Sequence, residues 1–332
     1  MLLFLATVLE QLDLALEHIN KRDVHNGRFG LMLTDNAIEL VLHQIANDKK
    51  RDLQFFTHKN ETYAHQKELN KALGKSFKDK TKFARLDLKI SIEEENTINI
   101  MHEFRNELYH AGLAHEAILP SIAPFYFKVA CEFIGRYRPM GLGWGSNQVL
   151  PERAKKYFSG HRTFPGKIED FSTACDTLAQ TSQHTADELV AILADHIDMV
   201  IEEQNICIDI IASGVYVGQQ TTRDKAVVES QAWSVAFSEE GKDFAAKRGW
   251  TGSVLTFIER FVEEYPFVYK NDVIPGWNKQ ARNIRRTKNP HAALKYYNSF
   301  MNETENLRET LQRSAAAAEA EIDRLVDEAR GK

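Results

Sequence analysis

Chain breakers are scarce in this sequence: 17 glycines and 8 prolines are spread over 332 residues. Glycine and proline end helices and turn strands, so a chain this poor in them favours long helices and has too few turns for a β fold. The expected fold is all-α, an N-terminal helical bundle followed by a second, mainly helical domain. The length suits two domains, and 43% hydrophobic with 27% charged residues is a globular balance. A formal net charge of -5 argues against a protein that coats nucleic acid, yet it leaves local basic patches open.

The opening Met1-Leu2-Leu3-Phe4-Leu5 has the look of a signal peptide but lacks a basic n-region, and Glu10 and Asp13 interrupt the apolar run. Leu5, Leu9, Leu12, Leu16 and Ile19 instead share one helical face, which predicts a helix over residues 2–20. No uncharged run approaches the roughly 20 residues that span a bilayer, so a soluble protein without a membrane partner is expected. Cys131, Cys175 and Cys207 are far apart in apolar helical contexts and read as buried free thiols. That usage fits a reducing cytoplasm.

Further along, a helix is expected from Leu31 to about Ala46. Residues 49–89 hold twelve Lys/Arg against five Asp/Glu, a local charge of +7. This stretch reads either as a solvated, partly helical insertion or as an electrostatic footprint for a phosphate backbone. The next helix is signposted by Ser91 and Glu94, a capping box, with Gly112 as its stop. Its core stripe is Ile100, Met101, Phe104, Leu108 and Ala111. The opposite face carries Asn99, His102, Asn106, Tyr109 and His110, side chains that solubilise poorly and bind well. A helix from Pro120 to Arg136 comes after it. Pro139 and the glycines Gly141, Gly143 and Gly145 then place a linker and domain boundary at residues 139–150.

Beyond that boundary, residues 151–332 form the second domain. Helices are expected near 186–212, 222–248, 251–264 and 290–329, with a turn or short strand over 213–220. Asp195, Asp198 and Glu202 read as a solvated face. Between Val273 and Asn302 there is no acid, while Lys279, Arg282, Arg285, Arg286, Lys288, His291 and Lys295 accumulate. Trp277, Tyr296 and Tyr297 flank this cluster. It reads either as an RNA platform, with rings that stack on unpaired bases, or as a solvated basic face over buried aromatics.

Chemistry, if present, must run on side chains alone. His102-Glu103 with His110 is out of register for a zinc helix, and no paired-cysteine, nucleophile-elbow or Walker motif occurs. Neither a metal nor a cofactor is expected. The segment Arg105-Asn106-Glu107-Leu108-Tyr109-His110 supplies what RNA cleavage needs. A histidine moves protons near neutral pH, and an arginine holds a phosphate through an always-charged fork. Asn106 and His110 share a face at i, i+4, so the amide can orient the imidazole. Arg105 lies about 140° round the helix from His110. Its long side chain, or a second copy across a two-fold interface, must bring both to one phosphate, which predicts a homodimer. His102 and Tyr109 are possible supporting residues.

Arg105-Asn106 followed by His110, late in a helix after two N-terminal helices, resembles the signature of the HEPN superfamily. The resemblance covers residues 1–138, which it makes a HEPN-like ribonuclease domain. It implies a metal-independent endoribonuclease that cleaves RNA by 2′-hydroxyl attack, with catalytic Arg105, Asn106 and His110 in a dimeric cleft. It also implies a toxin–antitoxin, abortive-infection or other antiviral-defence setting. The implied partners are RNA, such as tRNA or another structured RNA, and an antitoxin or sensor protein. Relatives often carry a polar residue on an earlier helix facing the site, a place open to Asp35 or Glu39. A catalytically inactive HEPN-fold module that binds RNA or nucleotides, or scaffolds a partner, is the alternative.

Overall fold

The computed structural model describes residues 1–56, 63–110, 116–161, 164–182, 186–216 and 218–331. Within these, the side chains of Phe56, Tyr109, His110 and Ala186 are outside the description. Among the described residues the chain forms thirteen α-helices and no β-strand, as the sparse punctuation predicts. They fall into two compact units: Met1–Leu193 with Thr287–Lys295, and Ala194–Arg286 with Tyr296–Lys332.

In the first unit, α1 (Leu2–Ile19) buries the stripe Leu5, Leu9, Leu12, Leu16 and Ile19. It packs along α2 (Val24–Phe56). α2 starts earlier than the sequence suggests, because Asp23 accepts the Asn26 backbone N–H at 2.8 Å and so satisfies an orphan donor of its first turn. Gly27 and Gly30 lie inside it, where glycine is expected to weaken a helix. Gly30 is there for contact: a Cβ at that position would stand 2.5 Å from Cγ1 of Ile19. α2 continues to Phe56 and touches α3 (Gln66–Ala72), α4 (Phe77–Leu86), α5 (Ile92–His110) and α6 (Leu119–Gly135) as well as α1. Much of the lysine-rich 49–89 stretch is therefore packed helix.

The capping box that starts α5 is formed in both directions. Glu94 N–H donates to Ser91 Oγ at 3.1 Å, and Ser91 N–H donates to Glu94 Oε2 at 2.8 Å. Its predicted stop, Gly112, and the stripe residue Ala111 lie outside the described residues. Residues 116–135, ending in α6, are long and apolar enough to cross a bilayer by length and composition alone, although Glu116, Lys128 and Glu132 leave no uncharged run of that length. Two thirds of that window is buried, as for a core helix, and α6 packs on α1, α2 and α7 (Ile168–Thr181). Cys131 and Cys175 are buried and unbridged; Cys207 is half-buried. Burial pushes the thiols of Cys131 and Cys175 up, so they stay protonated.

The expected boundary at residues 139–150 falls inside this first unit. The Met1 amine and the Leu2 N–H both donate to the Gly143 carbonyl, at 3.2 and 3.3 Å. Arg153, Lys156 and Tyr157 converge on Asp13 of α1. α7 then buries Phe171, Ala174, Cys175 and Leu178. The glycines break a helix there without separating domains, since residues 153–157 and α7 return to the same core.

The second unit holds α8 (Ala186–Ser213) from Ala194 onward, α9 (Arg223–Ala236), α10 (Glu239–Lys247), α11 (Val254–Glu264), α12 (Ile274–Arg285) and α13 (Pro290–Ala329) from Tyr296 onward. The helix expected over 222–248 is two, broken at Phe237–Ser238, where Ser238 Oγ caps α10 by accepting the Gly241 N–H at 3.0 Å. Ala232, Ala245, Ile258, Phe261 and Phe267 form one core cluster, with Phe244, Trp250 and Tyr265 packed around it. Residues 213–220 are turns where described. α13 buries Phe300, Leu307, Leu311 and Ala315, and from Ala316 onward it is mostly exposed.

Candidate active site

The polar face of α5 turns towards α2, α4 and α6. At its centre is the Asp35 carboxylate of α2, with no solvent exposure. His102 Nδ1 lies 2.9 Å from Asp35 Oδ2, and the Tyr126 hydroxyl of α6 donates to Oδ1 at 2.8 Å. An ionised carboxylate only accepts, so Nδ1 carries the imidazole proton. Phe77 of α4 stacks flat on the His102 ring, with centroids 3.6 Å apart and planes 3° from parallel. One helical turn along α5, Arg105 Nε stands 3.8 Å from Asp35 Oδ2, close enough to balance its charge. Burying a carboxylate is costly unless it is paired and hydrogen-bonded, and these three groups meet that condition.

Arg105 Nη1 also donates to Asn106 Oδ1 at 2.8 Å. The amide oxygen of Asn106 is thus engaged by the arginine. The Arg105 side chain as a whole is 30% exposed, while its Nε is buried. The His110 and Tyr109 side chains lie outside the described residues, so the expected Asn106–His110 contact and any role of Tyr109 fall outside the description too. Burial and the adjacent Asp35 push the Tyr126 phenol well above its ordinary value, which keeps it a neutral donor.

Asp35 and Glu39 part company here. Asp35 faces Arg105 and His102, while Glu39 pairs with the buried Lys80 ammonium at 2.8 Å. His102 is half-buried, against the expectation of an outward face. The sequence reading did not single out Tyr126 or Phe77. A tyrosine within the apolar run of α6 was the available signal, because a buried hydroxyl normally finds a partner.

The two basic regions differ from a bare phosphate footprint. In the lysine-rich stretch, Lys49 sits near Asp52 and Asp87, Arg51 pairs with Asp48, Lys78 with Glu103 and Arg85 with Glu95. Much of its positive charge is answered locally by acids from α2 and α5. On α12, Lys279, Arg282 and Arg285 are exposed, as are Arg286 and Lys288 beyond it. Arg285 is already engaged: its Nη2 donates to Asp195 at 2.7 Å and Asp198 at 2.6 Å, acids that are themselves exposed, as a solvated face requires.

Of the two readings of the flanking rings, the buried one holds for Trp277 and Tyr297. Trp277 is buried edge-on against Phe300, and Tyr297 is buried beside His196, so neither ring is open to a base. Tyr296 alone of the three is exposed. His291 is half-buried 2.8 Å from Thr97 Oγ1, and burial lowers its pKa, which removes it from the cation count at neutral pH.

Among the described residues, no group of three or more His, Cys, Asp or Glu side chains is arranged to hold a metal ion. A scan of protein-family models, a search of curated proteins and a search of solved structures each return no match to this chain.

Proposed function

We propose that the first unit is a metal-independent endoribonuclease of the HEPN type, acting in toxin or antiviral-defence systems, with Arg105, Asn106 and His110 as its reacting set. The observation that carries this reading is the anchoring of Arg105. A guanidinium balanced by the buried Asp35 and bonded to Asn106 is held near the end of α5 on a half-buried side chain. Preorganised cations aimed at developing charge are a major source of rate enhancement.

In the reaction, His110 takes the 2′-hydroxyl proton and the 2′-oxygen attacks the adjacent phosphorus. Arg105 stabilises the added negative charge of the phosphorane. The 5′-oxygen leaves with a proton from an imidazolium, leaving a 2′,3′-cyclic phosphate and a 5′-hydroxyl. A homodimer pairs two such motifs in one cleft, so one histidine serves as base and its counterpart as acid.

A catalytically inactive RNA-binding or scaffolding module is favoured by one observation. Asp35 engages His102 and Tyr126 and balances Arg105, an arrangement that also stabilises α5 without any reaction. The test is cleavage of a structured RNA such as tRNA by purified wild type and His110→Ala in excess EDTA. Loss of a general acid–base is expected to cost about 10²–10⁴-fold in rate, with the fold intact and cyclic-phosphate ends on the wild-type products. Chelation that abolishes activity, or 5′-phosphate ends, would remove the mechanism. Equal inactivity of both proteins on every RNA would favour the scaffold.

A further inference from the structure

An open groove of about 630 Å³ runs through the second unit between α9 and α13. Trp233 of α9 and Phe237, its C-cap, reach it one turn apart, and Thr310, Arg313, Ser314, Ala317 and Ala318 line it from α13. The two aromatic side chains are 44% and 62% exposed, with ring centroids 6.3 Å apart and planes 19° from parallel. Single apolar residues on a surface are ordinary, but contiguous apolar surface at a concave site marks a place for a ligand or partner.

The shape restricts what fits. Lining residues on α9 run from Glu229 to Phe237, about 12 Å of helix at 1.5 Å per residue, or roughly two turns. Apart from Arg313, whose charge is matched within the lining by Glu229, the α13 side chains there are no larger than threonine, so another backbone can approach closely beside Ser314, Ala317 and Ala318. Two helical walls, one aromatic and one small, suit an amphipathic helix that sets anchors at i, i+3 or i+4, and i+7 between them.

Charge selects the kind of helix. Beyond the groove, residues 319–328 of α13 carry Glu319, Glu321, Asp323, Asp327 and Glu328 against Arg324. That arginine is already engaged by Glu321 and Glu328. Arg324 and the Tyr216 hydroxyl hold the Glu321 carboxyl down at about 2, so it remains charged. The C-terminal end of the helix dipole adds to the negative field. A second copy of α13 would bring like charges together, whereas a basic partner is attracted.

We propose that this groove docks a basic amphipathic helix of a partner protein. Its apolar anchors sit between Trp233–Phe237 and Ala317–Ala318, and its lysines or arginines lie along the acidic end of α13. The site belongs to the second unit alone and stands whether or not the first unit cleaves RNA.

The test titrates the full-length protein calorimetrically with three synthetic peptides of about four helical turns. One is amphipathic Leu/Lys, one is its Leu/Glu counterpart, and one has the Leu/Lys composition in an order without an apolar face. The first should bind in roughly the micromolar range and the other two at least about tenfold more weakly. Ala317→Arg plugs the groove from an exposed position and should weaken the first peptide by about tenfold or more. Glu319→Lys with Asp323→Lys should shift preference towards the Leu/Glu peptide. All three positions are exposed, so circular dichroism and melting should match wild type. Trp233→Ala gives an independent second blockade. Binding unchanged by Ala317→Arg and Trp233→Ala, or equal affinity for ordered and reordered Leu/Lys peptides, overturns the proposal. So does self-association that Ala317→Arg abolishes, since the occupant would then be a second copy.

Discussion

Tyr126→Phe removes one oxygen atom from the centre of the first unit. The hydroxyl is fully buried and donates at 2.8 Å to Asp35, which has no access to solvent. Water is therefore not at hand to replace the lost donor. A hydrogen bond to a charged group contributes about 1.5–3 kcal/mol net, so a loss near 2 kcal/mol is expected. The first unit has about 200 residues, for which each kcal/mol shifts melting by roughly 2–4 °C. The transition of this unit should therefore fall by about 4–8 °C.

Asp35→Ala should cost more than Tyr126→Phe, because it leaves the buried Tyr126 hydroxyl without an acceptor and the half-buried Arg105 without its counter-charge. The Arg105 Nε, buried and without a hydrogen-bond partner of its own, is the exposed weakness there. Guanidinium denaturation followed by circular dichroism measures both variants and the double mutant. The two changes should be coupled by about 0.5–3 kcal/mol, as expected for groups in one network. A Tyr126→Phe protein within about 0.5 kcal/mol of wild type, or strictly additive losses, would refute the argument that this hydroxyl supports the carboxylate.

Gly30→Ala should destabilise by about 1–3 kcal/mol through overpacking, since the new Cβ meets Ile19 Cγ1 at 2.5 Å. Adding Ile19→Ala should recover part of that loss, and a neutral Gly30→Ala would show that the two helices do not approach so closely. His291 has a folded pKa lowered by burial from 6.5. The unfolded chain thus binds the proton more readily, and stability should fall as pH drops through and below about 6.5. Melting at pH 7.5 and pH 5.5 should show a smaller difference in His291→Gln than in wild type; equal differences would exclude His291 as a source. For RNA, replacing Lys279, Arg282 and Arg286 together with Gln should lower affinity. Each lost phosphate contact should flatten the log–log salt dependence by slightly under one unit, read by fluorescence anisotropy. Arg285→Gln should change binding least, because Asp195 and Asp198 already hold that guanidinium; an equal effect would contradict this.

The elements most legible in the sequence are those whose signals are local. The leucine stripe of α1, the Ser91–Glu94 box of α5 and the proline at the start of α6 each act within a few residues. Helical hydrogen bonds and side-chain stripes repeat over three or four positions, so a short window contains the whole cause. α7 was missed because its buried Phe171, Cys175 and Leu178 are interspersed with serine, threonine and aspartate. α2 begins ahead of the stretch expected from Leu31, and Gly30 in that early part answers a contact with α1.

The same division applies to the site. The spacing of Arg105, Asn106 and His110 on one helix was readable from the sequence. That the polar face of α5 turns inwards was not, and Asp35 was reached only through the resemblance, as one of two candidates, because the partners lie far away in the chain. His102 meets Asp35 across 67 residues and Tyr126 meets it across 91. Likewise no local pattern says that Arg285 pairs with acids 87 and 90 residues before it, or that Trp277 is covered. The sequence determined which side chains share a helical face; tertiary packing decided what covers each face. That choice depends on which distant helices bury the most apolar surface together while leaving no charge unpaired.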